Sequence, residues 1–521
     1  MMMRDILNTR TMNRSLALAG GLALVAFILT LVGCAQVKPQ ADFGQARQLF
    51  TESTGLADIY DPDQPLLTPE EIEAVLDNGL TLQEALRLAL LNNRRLHREF
   101  MSIGISKADW VQSGLLSNPT FAFSAQFPEG GGRSNIQASL AQNIVDLWQI
   151  PVRKRIAQAA VDETVLRIAR FGSELAADTK SAYYRAVSAE QSFSLAQDNF
   201  DLVEKSYEAV KALRQAGTAS QLDENLARGQ MLRVQLKVRD ARLAMHNAKR
   251  NLGRTLSIGL DVDDLKLESA LPDVISLIPP ADVLIEMARA HRLDLRAAAK
   301  ATESSYAKVD FEKLNIFPDI SVGPFFEQGE RRALAGRKPF ADFARSSIAA
   351  GTPTVPGIQP RSERDAARRQ EINSIFGPAL TMTLPIFDQN QAQIAKAYYL
   401  YQKNLKAYEE LYLNIAQDIR MAADRTETAA GNVVFYRDEI VPQAERNLTF
   451  ARDSYNAGQT SILALLEAQR LLLEAKQNFI EVRLEAASAV ADMEAAIGIP
   501  TDRILESVSS NRELDDSKTL D

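Results

Sequence analysis

Three histidines, a single cysteine and paired carboxylates such as Asp263-Asp264 and Asp515-Asp516 are the side chains here with most chemistry to offer. A metal or acid–base site needs several such groups converging on one point. His97, His246 and His291 are instead scattered over separate helical stretches and read as surface or packed residues. The aspartate pairs fall in linker or tail and read as solvated. No glycine-rich phosphate loop sits between strand and helix, and no nucleophile motif is present. The expectation is therefore a protein that is not an enzyme, with no metal and no cofactor. A net charge of −8 without a basic stripe also argues against nucleic acid as a partner.

The cysteine points to a different chemistry. Arg4, Arg10 and Arg14 precede an apolar core from Leu16 to Leu31, the layout of a secretory targeting segment. Leu31-Val32-Gly33-Cys34 then resembles a lipobox, in which the cysteine thiol takes up lipid and becomes the mature N-terminus. Cys34 is thus the candidate lipidation site, and residues 1–33 the lipoprotein signal peptide. The alternatives are an ordinary signal or a short anchor with an incidental cysteine. Ala35, rather than aspartate, after the cysteine is compatible with sorting to an outer membrane.

The remaining chain is organised as elements that recur. Residues 34–79 read as a tether that wraps something larger, with Thr68-Pro69-Glu70-Glu71 a capping box inside it. A first unit, 80–258, opens on the capping pair Thr81 and Glu84 with one helix to about Leu116. It continues with two alternating strands around Phe121, Phe123 and Ile136, Leu140, then a helix of about 60 residues from Pro151. That helix turns at Gly217, and Ser220 caps its return. Residues 259–280 form a linker with a short possible strand at Leu265 to Leu267. The second unit, 281–499, repeats the plan: a helix ending before Pro318, strands at Ile320, Val322 and at Leu380 to Ile386, and a long helix opened by Asp388. Pro442 bends that helix, Gly458 turns it and Ser461 caps its return. An arginine-rich insert, 329–376, separates the second pair of strands, and 500–521 is a polar tail.

Within the second turn, Pro442, Ala444, Leu448, Ala451, Tyr455, Gly458, Ser461, Leu463, Leu466, Ala468 and Gln469 resemble the pattern of outer-membrane efflux proteins, the TolC-like channels. The resemblance spans roughly Leu80 to Ile499 and is weaker in the first half, where Gln215 replaces the tyrosine. It implies a mainly α fold with a small β part: long antiparallel helical hairpins forming a periplasmic tube on an outer-membrane barrel. It also implies a homotrimer, and the strand count agrees. Four strands cannot close a barrel, whereas three chains give twelve. Phe121, Phe123, Ile320, Val322, Leu380 and Met382 would face lipid; the alternative is a soluble sheet packed on a core.

By the same resemblance, the tips at Gly217, Ser220, Gly458 and Ser461 would dock a periplasmic adaptor that connects to an inner-membrane transporter. Asp223 and Glu467 match in place the acidic rings that narrow the periplasmic entrance. As a bland alternative they line a solvated coiled-coil face. Thr460 stands where some members carry an arginine that bridges protomers. The expected function is a passive exit duct of a tripartite efflux or secretion system, located in the outer membrane and held there by lipid. The competing reading is a lipid-anchored periplasmic coiled-coil scaffold without a pore.

Overall fold

A computed structural model describes residues 35–127, 134–259, 265–268, 270–272, 278–330, 345, 347–351 and 372–505. Cys34, both aspartate pairs and most of the insert lie outside these residues. The chain opens with α1 (Gln40–Thr54), α2 (Pro69–Asp77), α3 (Leu82–Asn92) and α4 (Arg94–Ser113). Strands β1 (Thr120–Gln126) and β2 (Asn135–Asn143) lead into the long hairpin of α5 (Asp146–Gln215) and α6 (Gln221–Thr255). The second half follows with α7 (Ala281–His291), α8 (Leu293–Leu314), β3 (Ile320–Glu330), β4 (Ile372–Met382), α9 (Gln391–Phe435), α10 (Val441–Asn456) and α11 (Ile462–Ile497).

The four strands form one antiparallel sheet in the order β1-β2-β3-β4. In its register Phe121 faces Leu140, Phe123 faces Ala138, Val322 faces Leu380 and Ile320 faces Met382. Successive strand residues alternate faces, so all six expected lipid-facing residues share one side. The other side carries Ser124, Gln137, Ser139, Glu327 and Thr381, with Phe325 and Ile375 its large apolar exceptions. Leu380, Phe121 and Phe123 are more than three-fifths exposed, so no described residue covers this part of the apolar face. Gly323 sits where β2 and β3 approach most closely. A β-carbon there would run into the Leu140 carbonyl, which leaves glycine as the residue that fits.

The core lies below the sheet, where short helices wrap the long ones. Phe43, Phe50, Leu96, Phe100, Val165 and Ile168 form its largest cluster. The stretch expected to wrap a larger body packs on the long helix: α1 lies on α5, with Phe50 against the bare backbone of Gly172. The polar tail also begins ordered, for 501–505 is helical and Ile504 is buried.

Two helices read as continuous are broken. Asn93 leaves helical geometry at ψ 113, and its side chain accepts from the Arg95 and Leu96 amides. The Asn93 amide donates to the Thr255 carbonyl at 2.9 Å, pinning the break to the end of α6. In the second half Arg292 breaks the α7–α8 run and donates to the Ala496 carbonyl at the end of α11. Other boundaries move as well. α5 starts at Asp146 with Pro151 inside it, α9 starts after Asn390 rather than at Asp388, and Leu384 and Ile386 fall beyond β4. The strands also extend into the stretch read as insert, to Glu330 and from Ile372. Where a bend is expected at Pro442, the chain has a π turn at Tyr436–Ile440, in which the Val441 amide donates to the Tyr436 carbonyl. Widening the ring accommodates the donor that proline lacks.

Candidate functional site

Helix α5 runs 70 residues without interruption, about 105 Å at 1.5 Å per residue, and carries the chain from the sheet to the first tip. Both tips close with the same backbone motif. At the first, Gly217 has φ 81, its amide donates to Arg214 O, and the Thr218 amide donates to Leu213 O. At the second, Gly458 has φ 73, its amide donates to Tyr455 O, and the Gln459 amide donates to Ser454 O. These are paired Schellman turns, in which a residue of positive φ satisfies the last helical carbonyls. Beyond the adjoining residues, no described atom lies within 4 Å of where a β-carbon would sit on either glycine, so both turns stand open to their surroundings.

The fold brings the two tips side by side. Val210, Ala227, Ile462, Leu465 and Leu466 are buried between them, with Tyr207, Leu448 and Tyr455 at the margin. Burial, with the charge of nearby Asp223 second, pushes the Tyr455 phenol above its ordinary value. Gln469 is buried beside this cluster and donates to Ser206 Oγ, tying α11 to α5.

The caps of the two tips differ. Ser220 and Asp223 form a complete capping box: the Asp223 carboxylate accepts from the Ser220 amide at 2.9 Å and hydroxyl at 2.7 Å. Arg214 donates to Gln221 across the turn, and the Thr218 hydroxyl donates to Leu213 O. Ser461, expected to cap α11, makes no side-chain capping bond. A box is impossible there, because the third helical position is Ala464 and offers no reciprocal acceptor.

Of the two candidate gate residues, Asp223 is thus committed to its cap, and Glu467 to a neighbour. The Glu467 carboxylate accepts from Arg470 at 2.7 and 3.0 Å, and Arg470 also donates to Glu474. That hydrogen bond, with the arginine's charge, holds the Glu467 carboxyl below the usual range. Arg470 was not singled out from the sequence, although its spacing of three from Glu467 and four from Glu474 marks such a pair. The histidines do not converge. His97 stacks flat on Tyr60 at 3.8 Å and bonds the Leu91 carbonyl, while His291 lies in the last turn of α7. Among the described residues no group of His, Cys, Asp and Glu is placed to hold a metal ion.

A sheet with one uncovered apolar face, set on helices far longer than a compact core needs, defines a membrane channel subunit with a long soluble extension. The model of the outer membrane efflux protein family matches residues 106–257 and 284–499, and the chain belongs to that family. It is 21% identical over 428 residues to the cobalt-zinc-cadmium resistance protein CzcC of Cupriavidus metallidurans, spanning 80% of this chain and 90% of that one. It is 22% identical over 438 residues to the toluene efflux pump outer membrane protein TtgC of Pseudomonas putida, spanning 80% and 82%. The Campylobacter jejuni CmeC outer membrane channel has the same fold, with a TM-score of 0.62 at 15% identity over 87% of this chain and 91% of that one. Channels of this family are trimers that work with an adaptor and an inner-membrane pump, and they are not enzymes. The protein is accordingly an outer-membrane efflux channel that extends into the periplasm.

Proposed function

We propose that three copies of this chain close a twelve-stranded barrel and form a passive exit duct. The duct receives its substrate from an inner-membrane pump through an adaptor that docks on the paired tips. The observation that carries this reading is the open sheet. The outer edges of β1 and β4 have no partner in the described chain, and an unpaired edge cannot stand in lipid. Pairing β4 of one copy with β1 of the next removes every edge at once. Energy comes from the pump, since no nucleotide motif is present.

In this arrangement Asp223 and Glu467 recur three times around the entrance. Cys34 carries the lipid anchor, residues 1–33 are removed, and the 329–376 insert emerges outside the cell. Two or three acyl chains at about 0.8 kcal/mol per buried methylene are ample for stable attachment. Purified protein in planar bilayers tests the reading. Discrete conductance from a species that cross-links up to three chains is the expected result. A protein that anchors to membranes but never conducts is the scaffold instead. Intact-mass analysis of membrane-extracted protein tests Cys34, and an unmodified thiol removes the anchor.

A further inference from the structure

The polar side of the sheet, which faces the lumen once a barrel closes, departs from its pattern at Phe325 and Ile375. Phe325 stands midway along β3, the sixth of its eleven residues. Its cross-strand partners are Ser139 on β2 and Gly377 on β4, and Gly323 precedes it on the same side. None of the three can cover a ring. The first large apolar side chain within reach is Ile375, its diagonal neighbour on β4, which is itself 52% exposed. The two form one apolar patch on an otherwise polar wall.

A carboxylate adjoins the patch. Glu327 lies two residues farther along β3, on the same side and directly opposite Ile375. It accepts a hydrogen bond from the Gln137 side-chain amide at 3.3 Å, and among the described residues no ion pair reaches it. An amide orients a carboxylate without neutralising it, so the negative charge stays available to whatever passes. Twelve strands about 4.8 Å apart, tilted by about 45°, put the backbone of a closed barrel about 13 Å from its axis. A phenylalanine reaches inward from that wall without shutting the duct. Folding gains little from an aromatic ring aimed at water. The other phenylalanines of the strands, Phe121, Phe123, Phe326 and Phe376, are gathered on the lipid face.

We propose that Phe325, Ile375 and Glu327 form a contact site for cargo inside the barrel, selective for organic cations that carry an aromatic ring. The cargo's ring lies against Phe325 and Ile375. Its positive group gains a cation–π attraction from the face of Phe325 and a countercharge from Glu327. Three copies of the chain place three equivalent sites around one level of the lumen. The proposal rests on the duct reading above, whose cargo it names, and the two fail differently.

Single-channel recording from the full-length trimer in planar bilayers tests it. Benzyltrimethylammonium is the probe, while tetramethylammonium and benzyl alcohol carry the charge and the ring separately. The benzyl cation should interrupt the current briefly, at a concentration about fivefold below that needed of tetramethylammonium. Phe325→Leu keeps bulk and loses the ring, and should raise the half-blocking concentration about fivefold; Phe325→Tyr should stay within about twofold of the original. Glu327→Gln should weaken block by both cations. Ile375→Ser removes the other half of the patch and should weaken block by the benzyl cation alone, which tests the site even where Phe325→Leu does not assemble. Cross-linking to three chains shows that a variant has assembled. Block that survives the Phe325→Leu, Ile375→Ser and Glu327→Gln changes lies elsewhere in the duct, which overturns the proposal and spares the channel. Block that is lost in Glu327→Gln but untouched in Phe325→Leu reports charge alone and refutes the aromatic assignment. Equal block by benzyl alcohol refutes the need for a cation. A trimer that never conducts overturns the duct and this site together.

Discussion

Replacing Gly458 by valine isolates the tip from the rest of the molecule. A β-branched residue held at φ 73 costs on the order of 1–2 kcal/mol, because its β-carbon crowds its own backbone. No neighbour adds to that cost, since nothing lies within 4 Å of the new atom. The alternative is to abandon the turn, which breaks the Gly458 to Tyr455 and Gln459 to Ser454 bonds at about 1 kcal/mol each. Strain and unwinding therefore cost about the same, and the variant populates both a strained and an opened tip. Neither reaches the sheet, which lies the length of a long helix away. The expected outcome is a trimer that assembles and inserts normally but loses adaptor capture and efflux. Pull-down with the adaptor, alongside cross-linking in detergent, measures both. Full capture and transport by the variant would refute the tip as the docking site, and loss of the trimer would refute the argument that the cost is local.

Asn93→Ala should remove a cap and the buried bond to Thr255, together about 2 kcal/mol, and hydrogen exchange at Arg95 and Leu96 should accelerate roughly 30-fold. Asp223→Asn keeps a carbonyl oxygen for the Ser220 amide while removing the charge. It should leave exchange at the first tip nearly unchanged and lower cation preference in single-channel recordings; unchanged selectivity removes Asp223 from the entrance ring. Burial pushes the Asp294 carboxyl up, but the hydrogen bond and charge of Arg292, with Arg170, outweigh it and hold the pKa below the usual range. Its stabilising contribution is therefore complete above the ordinary aspartate value and lost as pH falls through the depressed one. Asp294→Asn should flatten that acid limb of the stability profile, and an unaltered limb would assign it to other groups.

Much of this architecture was legible because long helices and exposed strands obey simple periods. Two glycines followed by serines located both tips, and alternation placed Phe121, Phe123, Val322 and Leu380 on one face. What was missed depends on contacts distant in sequence. Asn93 and Arg292 break their helices because the ends of α6 and α11 supply carbonyl partners, and nothing local announces those partners. Docking of α1 on Gly172 is hidden for the same reason, a glycine in a helix being an ordinary observation until Phe50 fills its space. Ser461 occupies the N-cap position of α11 as read, and the alanine at position 464 makes the lack of a reciprocal box readable. Nothing local announces that the Ser461 hydroxyl accepts no capping bond. Gate residues are legible only as positions, since Asp223 and Glu467 have partners within their own helices that dominate their geometry.

The pairing of β2 with β3 also sets a timetable. Ile136 lies opposite Gln328, roughly 190 residues later in the chain, whereas Phe121 finds Leu140 within twenty. Closing so long a loop is entropically costly until something shortens it. Helices α5 and α6 do half of this, since the 35-residue return climbs about 52 Å of the roughly 105 Å that α5 descends, and α7 with α8 carries the chain on to β3. Hairpin zipping from the Gly217 turn, a local event, thus precedes the sheet. The strands that must enter lipid are the last part of the chain able to find their order. During export the first β-hairpin waits with its apolar face bare until the second arrives. That interval is when exposed apolar surface is most open to aggregation.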